Sequence, residues 1–528
     1  MSTKLAAILP SWAVVVLAVA GLTGFGIRCA YVFDPDPHFL RESPVSEDAY
    51  YAFSVSRNLA AGRGMTADGE NLTNGFQPLS TFVGALFYIG DPDDELLGVR
   101  GFMVFSLALT VITATLLAAL ARRMTGSGVA GIAAACLYLA HPLSVTNDLN
   151  GLDTGCATTL LAGSLMAYLK LRPSQPDGPA RRFVFGVGAC LGLLCLARID
   201  CVVGVCILAA LHTLHGKRAH LGRRLRDALG FSLVAAAILS PWLVSNVVNF
   251  GSLMPISGQA SRNPITPGTD GVFPQGPDVA SNVVEAARHV VDTPLLFPIG
   301  KLLNRLPASP ALQGVFLVAM ALAGVLLLRR HLSARPPDGG AERVVVLFVA
   351  LNLAVFAAMY TVMFGSASWF MGRYLHPANV AAGPVVLTVF LTLTGGAFPR
   401  RLVAAGLVLV AVFLAGDAVR GFQGPNNQSN YDLAMHLRSR YPDLAIGMFQ
   451  SGTTGYFCPN VKNLDGKVNP EVHPYFETGR LADYVNDVDL DAVVDWPRIA
   501  DVFMRDPVLA GRFSGTDYGE WRIYLRDR

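Results

Sequence analysis

Two adjacent carboxylates, Glu47 and Asp48, begin the stretch SEDAYYAFSVSRNLAAGRG, which runs from residue 46 to 64. Ser46 is suited to cap a helix, both acids would lie in its first turn, and an apolar stripe would follow from Tyr51. Such a helix is expected to lie at a membrane surface. Acids are favoured at a helix N-terminus for structural reasons alone. The other interpretation is that one carboxylate, held at the boundary between lipid and water, serves as a general base.

Three further stretches place polar side chains beside apolar runs. In GENLTNGFQPLSTF, Asn74 and Gln77 carry amides that are able to bind sugar hydroxyls, although Asn-Gly is also a common turn. In NGLDTG, Asp153 is either a helix cap or a site residue. In LARID, Arg198 and Asp200 interrupt an apolar run, where charges are costly unless they pair or function. They form either a mutual ion pair or a site in which Arg198 faces an anionic ligand and Asp200 orients it.

Two later stretches add cations. FGSLMPISGQASR carries Gln259 and Arg262, and FMGRYLHP carries Arg373, Tyr374 and His376. An Arg side chain binds phosphate through two parallel hydrogen bonds, so these positions are candidates for an anionic ligand. The alternatives are that Arg262 is a solvated loop charge and that Arg373 only anchors a helix end at the membrane interface.

The elements that must position these residues are membrane helices. The chain has 528 residues, of which 52% are hydrophobic and 15% charged, and its mean hydropathy is +0.44. A soluble domain usually carries about 25% charge, and the small net charge of +3 indicates no nucleic-acid partner. The apolar runs predict an all-α polytopic membrane protein with about eleven spans, near residues 8–27, 97–121, 128–143, 155–171, 183–197, 201–215, 227–248, 311–328, 344–364, 378–396 and 402–420.

Basic residues predict the orientation of these spans. The apolar run 183–214 would be about 48 Å long as one helix, too long for a bilayer core of about 30 Å, and basic residues flank both of its ends. It is therefore predicted to be a hairpin that turns at LARID. With that hairpin, the basic loops and the N-terminus fall on the cytoplasmic side. The first loop region (28–96), the second loop region (249–310) and the C-terminal segment then fall on the outer side.

A change in composition predicts two domains. Residues 1–420 are expected to form the transmembrane domain, and residues 421–528 a small α/β domain outside the cytoplasm. In this polar tail LAIGMFQ, LDAVVDW and EWRIYLRDR are predicted strands and ADVFMRDPV is predicted to be helical, while QSGTTGYF and NLDGKVN are predicted loops beside strands. The small domain is expected either to cover the mouth of a site as a lid or scaffold, or to bind an acceptor.

Acids and cations on one outer face suit the transfer of a group from a lipid phosphate. Arg side chains would hold the phosphate, which is the leaving group, and an acid would deprotonate an incoming hydroxyl. The sequence has no Gly-rich nucleotide-binding motif in a strand–helix context, in keeping with a donor that carries no nucleotide. No Cys or His cluster has zinc spacing. No cofactor is assigned, although a divalent cation shared by Asp48 and Asp153 stays open.

Six stretches resemble, in order, the GT-C superfamily of multispan glycosyltransferases that use polyprenyl-phosphate sugars. Within it the sequence is most similar to the mycobacterial terminal arabinofuranosyltransferase group and its bacterial relatives. The resemblance covers roughly residues 40–385 and rests on SEDAYYAFSVSRNLAAGRG, GENLTNGFQPLSTF, NGLDTG, LARID, FGSLMPISGQAS and FMGRYLHP.

The resemblance implies an inverting transfer of a sugar, arabinofuranose in that group, from a polyprenyl-phosphate donor. The acceptor would be a hydroxyl on a glycan, lipid or protein at the outer face of a bacterial inner membrane. Asp48, which best matches the second carboxylate of the family's acidic pair, would be the general base. Glu47, which departs from the Asp-Asp form common in the arabinosyl group, would be a supporting or acceptor-binding acid, and the sequence equally allows the two acids to exchange roles. Arg198 and Arg373 match basic positions near the donor phosphate, and Asp153 matches an acid in the second outer turn, where Glu is frequent.

The other predicted site residues come from the outer stretches themselves. They are Arg262 for the phosphate, and Asn74, Gln77, Asp200, Gln259, Tyr374 and His376 for the substrate. A transporter or flippase of the same lipid is the alternative function. It should place polar residues at mid-membrane on paired, broken helices, whereas here they gather on one predicted face. A phosphoethanolamine transferase would need a metal-binding His/Asp set and a hydroxyl nucleophile, which cannot be assembled from these stretches.

Overall fold

The computed structural model places most of the chain in helices and a small sheet near the C-terminus. It describes residues 9–35, 44–172, 180–216, 218–262, 279–305, 340–363, 367–394, 399–423 and 429–527. Up to residue 262 the helices are α1 (Ser11–Phe33), α2 (Ala49–Ala60), α3 (Pro78–Ala85), α4 (Glu95–Thr125), α5 (Gly128–Ala140), α6 (Pro142–Asp148), α7 (Thr154–Leu171), α8 (Arg181–Ala197), α9 (Val202–Leu214), α10 (Leu221–Phe250) and α11 (Ile256–Arg262). Then follow α12 (Val279–Val290), α13 (Phe297–Arg305), α14 (Gly340–Met363), α15 (Ala367–Thr394), α16 (Arg400–Gln423) and α17 (Ser429–Arg440).

The described helices make the chain a multi-pass membrane protein. Six of them, α1, α4, α10, α14, α15 and α16, are long and apolar enough to cross a bilayer, and the pair α5–α6, bent by 68°, would make a seventh span. Helices α7, α8 and α9 lie at the predicted spans 155–171, 183–197 and 201–215, and are 18, 17 and 13 residues long. The predicted span 311–328 lies outside the described residues.

The apolar run 183–214 is broken where the sequence predicts it. Helix α8 ends at Ala197, Arg198 has extended backbone angles, and a short 3-10 turn leads into α9. Both helices pack against α10. The break leaves the charged side chains of Arg198 and Asp200 at the helix ends, where they line a cavity.

Helices α1 and α5 cross closely inside the membrane part of the protein. A Cβ on Gly24 would lie 2.0 Å from the carbonyl oxygen of Leu139, so only glycine allows this approach. Beside the crossing, the guanidinium of fully buried Arg28 lies 2.9 Å from a carboxylate oxygen of Asp148, which also accepts a hydrogen bond from Tyr138. Paired and hydrogen-bonded charges of this kind are the form in which ions are tolerated in an apolar interior.

The C-terminal segment contains a mixed five-stranded sheet. Its elements are β1 (Ile446–Met448), α18 (Gly452–Phe457), β2 (Val461–Asn463), α19 (His473–Glu477), α20 (Leu481–Asp487), β3 (Ala492–Asp495), α21 (Pro497–Phe503), β4 (Phe513–Tyr518) and β5 (Trp521–Arg526). The strand order is β2-β1-β3-β5-β4, in which β2, β1 and β3 are parallel and β5 and β4 antiparallel. The α/β prediction is confirmed, with three of the strands where the sequence indicated them. Strands β2 and β4 were not predicted, because β2 has a lysine at its centre and lacks an apolar run, and β4 is mostly exposed.

Helix α2 is largely buried within the protein. The C-terminal segment covers it: the ring of Tyr50 lies 5.4 Å from that of Tyr456 and 5.8 Å from that of Phe457. The hydroxyl of Tyr88 lies 2.9 Å from that of Tyr456, and Arg57 donates to the carbonyl oxygen of Tyr456. The side of this amphipathic helix that was expected to face water therefore packs against the C-terminal segment.

The start of α2 also differs from the prediction. The helix begins at Ala49, Asp48 is the residue before it, and Asp48 makes no side-chain cap. Ser46 is not the cap; its backbone donates to the carbonyl of Asn150 instead. The acidic side chains of Glu47 and Asp48 thus do not serve the helix end and are used in contacts with distant segments.

Candidate active site

Most of the predicted site residues line one cavity. It has a volume of about 480 Å³ and is formed by the turn before α2, the turn before α3, the break between α8 and α9, and the facing parts of α14 and α15. The predicted residues in its wall are Asp48, Gln77, Asp153, Arg198, Asp200, Arg373 and Tyr374. Much of the remaining wall is apolar and includes Phe76, Leu243, Met254, Met359, Met363 and Phe370. The cavity therefore joins a charged region to a surface suited to an apolar chain.

Asp48 lies between two cations. One carboxylate oxygen is 3.1 Å from the Arg373 guanidinium and the other is 3.4 Å from Lys467 Nζ. Burial favours the neutral acid, but the charges of Lys467 and Arg373 outweigh it and hold the pKa of Asp48 below its usual range. Asp48 is therefore ionised in the free protein.

Glu47 points away from the cavity. Its side chain accepts a hydrogen bond from the backbone N–H of Gly452, at the start of α18. Burial, and next the charge of Asp48, raise the pKa of the Glu47 carboxyl. The two neighbouring acids thus differ in environment: Asp48 is an ionised group at the cavity wall, and Glu47 joins the turn before α2 to the C-terminal segment.

Arg198 is enclosed by acids. Its guanidinium lies 2.6 Å from Asp200 and 3.1 Å from Asp153, and it also donates to the hydroxyl of Tyr360. The ring of Tyr374 stacks against it, with its centroid 4.3 Å from Arg198 Cζ. The ion-pair interpretation of LARID describes these contacts, with Asp153 as a second carboxylate. Arg198 still lines the cavity, so its role toward a phosphate stays a prediction.

The two amides of the stretch 69–82 have different environments. Asn74 is buried, donates to Asn246 and accepts from the backbone of Ile256, so it ties the first loop region to the second. The side-chain oxygen of Gln77 is buried beside the cavity, and no hydrogen bond to it is formed among the described residues. Gln259 donates to the carbonyl of Met254 within its own turn. Gln77 is thus the amide best placed to meet a ligand.

The three remaining predicted residues, Tyr374, His376 and Arg262, lie on helices α15 and α11. Tyr374 lines the cavity, and its ring also lies 5.2 Å from the guanidinium carbon of Arg373. His376 is buried and does not line the cavity. Arg262 is the last residue of α11, and its side chain lies outside the part of the chain that the structure describes.

Lys467 is a site residue that the sequence analysis missed. It lies in NLDGKVN, in the loop after β2, and also contacts Asp465 at 3.2 Å. A Cβ on Gly75 would lie 1.8 Å from the Lys467 carbonyl oxygen, so the glycine permits this loop to approach the cavity. Burial opposes the Lys467 charge, but Asp465 and Asp48 outweigh it and raise the pKa of the amine. From the sequence NLDGKVN was predicted only as a loop beside strands. The structure places it at the carboxyl edge of parallel strands, where ligands commonly bind.

The charged groups of the cavity do not fit a shared divalent cation. No group of three or more His, Cys, Asp or Glu side chains suited to a metal ion occurs among the described residues. Asp48 contacts two cations and Asp153 contacts Arg198, so an ion between these acids would meet three positive side chains.

The fold is found in solved structures, although no protein-family model and no curated protein matches the chain. ArnT from Cupriavidus metallidurans in the apo state is 13% identical, with 97% of each chain covered and a TM-score of 0.59. The apo oligosaccharyltransferase of Archaeoglobus fulgidus is 14% identical, with 98% of this chain and 74% of the other covered and a TM-score of 0.53. The chain has the GT-C fold. The likeness to ArnT includes the C-terminal segment, since 97% of both chains is covered.

Proposed function

We propose that the protein is an inverting glycosyltransferase that takes a sugar from a polyprenyl-phosphate donor and transfers it to a hydroxyl acceptor. The observation that supports this most is the position of an ionised acid, Asp48, between two cations at the wall of a cavity that also has an apolar part. Such a cavity offers separate surfaces for the phosphate, the lipid chain and the acceptor hydroxyl.

In this proposal Arg373 and Lys467 bind the donor phosphate and Asp48 is the general base. Asp48 removes the proton of the acceptor hydroxyl while its oxygen attacks the anomeric carbon of the sugar. The bond from that carbon to the phosphate oxygen breaks on the opposite side, and the electron pair leaves with the phosphate. The two cations stabilise the charge that develops on the leaving group. Gln77 and Tyr374 would contact the sugar.

The solved structures with the same fold support a lipid-linked donor. ArnT from Cupriavidus metallidurans has been solved with undecaprenyl phosphate, and the archaeal oligosaccharyltransferase AglB with a dolichol-phosphate and an inhibitory peptide. We extend the lipid phosphate, and not the acceptor, to this chain. The distribution of basic loops supports the outer face as the place of reaction, and the resemblance of the six stretches supports a bacterial inner membrane.

The sugar we propose is arabinofuranose, on the resemblance of the six sequence stretches. The proposed acceptor is a hydroxyl on a glycan, a lipid or a protein. Transport of the same lipid is the alternative outcome, although the charged side chains gather around one cavity, and all but Arg373 lie in turns, breaks or loops.

The experiment is transfer by the purified full-length protein from synthetic polyprenyl-phosphoryl arabinofuranose, with donors carrying other sugars in parallel. We expect a glycosylated acceptor, and a loss of at least about a hundredfold in turnover for Asp48→Asn, since a general base contributes roughly 10²–10⁴. Glu70→Gln, which removes an exposed carboxylate, is the matched control. Unchanged turnover in Asp48→Asn would refute the assignment of the base. Movement of the lipid across vesicles without transfer would establish a flippase instead.

A further inference from the structure

Every cation in the cavity wall already contacts a carboxylate. Among the residues that the structure describes there, these cations are Arg198, Arg373 and Lys467. Arg198 contacts Asp153 and Asp200, whereas Arg373 and Lys467 share Asp48. The cavity wall therefore has no surplus positive charge. A phosphate that binds there must replace a carboxylate as the ion-pair partner of at least one of these cations.

The solvent exposure of the side chains indicates which carboxylate a phosphate would displace. The Arg198 side chain is 3% exposed and its partners Asp153 and Asp200 are 11% and 15% exposed. Around the other centre, Asp48 is 32% exposed, with Arg373 at 21% and Lys467 at 30%. Separating Arg198 from Asp153 and Asp200 would leave buried charges without partners, which costs more free energy than separating Asp48 from its two cations. A ligand would therefore displace Asp48 from Arg373 and Lys467 and leave the contacts of Arg198 in place.

We propose that in the free protein Asp48 occupies the position of the donor phosphate between Lys467 and Arg373, and that a bound polyprenyl phosphate displaces it from both. This inference rests on the proposed function and adds a regulation of the same site. The two anions compete for one pair of cations. Lys467, which belongs to the C-terminal segment, is then a donor-phosphate ligand, and the phosphate site is incomplete without that segment.

The competition would link donor binding to the chemistry. A carboxylate held by two cations is a weak base, because both of them lower its pKa. When the phosphate draws Lys467 and Arg373 onto its own oxygens, Asp48 loses this stabilisation and gains basicity. The base becomes fully effective only when a donor is present.

The test measures binding of undecaprenyl phosphate to the purified full-length protein in nanodiscs. Asp48→Asn removes the competing charge but keeps the size of the side chain, so we expect about tenfold tighter binding together with the loss of transfer. Lys467→Met removes one cation, and we expect about tenfold weaker binding. The matched controls are Glu70→Gln and Lys462→Met, which remove the two members of a peripheral ion pair in the same region. Both should bind as the wild type does.

A pH profile separates competition from a structural effect. In Lys467→Met the acid limb of kcat/KM should move to higher pH, since Asp48 has lost a cation that lowers its pKa. A variant that is merely misfolded would lose amplitude without moving the limb. Equal or weaker binding of undecaprenyl phosphate by a folded Asp48→Asn variant would overturn the inference and leave the glycosyltransferase proposal intact. A wild-type protein that neither binds this lipid nor transfers sugar would overturn the proposed function itself.

Discussion

A methyl group added at Gly75 should displace Lys467, the cation that the C-terminal segment contributes to the cavity wall. In Gly75→Ala the new Cβ would lie 1.8 Å from the carbonyl oxygen of Lys467, and the other atoms it meets are also backbone. No rotamer change relieves this clash, so the NLDGKVN loop must move until the contact is about 3.4 Å, a shift of about 1.6 Å. Carried along with the loop, Lys467 Nζ would move from 3.4 Å to about 5 Å from Asp48.

The size of the effect follows from this shift. At an effective dielectric constant of about 20, the attraction between Lys467 and a charge in the position of Asp48 falls by about 1.6 kcal/mol. Since both side chains retain contact with water, we expect a loss in kcat/KM for the lipid-linked donor of about five- to fifteen-fold. The assay is transfer from the synthetic polyprenyl-phosphoryl sugar at limiting donor concentration.

Two comparisons make this result decisive. Gly455→Ala is the control, because its Cβ would meet a neighbouring carbonyl oxygen at an ordinary 3.9 Å, and its activity should equal that of the wild type. If Gly75→Ala acts through Lys467, the double variant with Lys467→Met should lose no more activity than Lys467→Met alone. Additive losses, or a fully active Gly75→Ala, would show that this contact does not position the lysine.

Two further predictions concern stability. Glu47 has a pKa raised from 4.5 by burial and by Asp48, so its stabilising contribution is full below that value and is lost as pH rises through the raised pKa. We therefore expect the melting temperature of Glu47→Gln, measured by intrinsic fluorescence, to exceed that of the wild type at about pH 9 and to be close to it at about pH 4. A difference in melting temperature that does not change with pH would contradict the raised pKa. Arg28→Met leaves Asp148 charged and buried and should cost about 3–5 kcal/mol in unfolding assays in micelles. Adding Asp148→Asn should restore part of the loss, and the absence of any rescue would show that the pair is not the cause.

The sequence predicts those features that depend on short stretches of chain. The spans follow from apolar length, and the break at Arg198 follows because a charged pair inside a run of about 32 apolar residues cannot be accommodated by one straight helix. The strands β1, β3 and β5 carry enough apolar residues to be recognised. Of the seven predicted residues around the cavity, five lie in turns or breaks next to helix ends, where the sequence interrupts its apolar runs, and two, Arg373 and Tyr374, lie within α15.

The features that the sequence does not predict depend on contacts between distant segments. Lys467 reaches Asp48 across 419 residues, and no local pattern distinguishes it from a solvated loop lysine. Helix α2 has the composition of a surface helix, but its second face is covered by α18. Asn74 has an amide of the kind that binds sugar hydroxyls, yet this amide forms hydrogen bonds with Asn246 and with the backbone of Ile256. In each case tertiary packing, which propensity does not describe, decides the role.

The shared core of α2 and the C-terminal segment has a consequence for biosynthesis. Synthesis proceeds at about 5–20 residues per second, so α2 waits on the order of 20–80 s for Lys467 and its loop to be made. During that interval Tyr50 lacks the rings of Tyr456 and Phe457, against which it packs in the folded protein. In the proposed mechanism the nascent chain also lacks Lys467 and with it a complete phosphate site, so activity would require translation of nearly the whole chain.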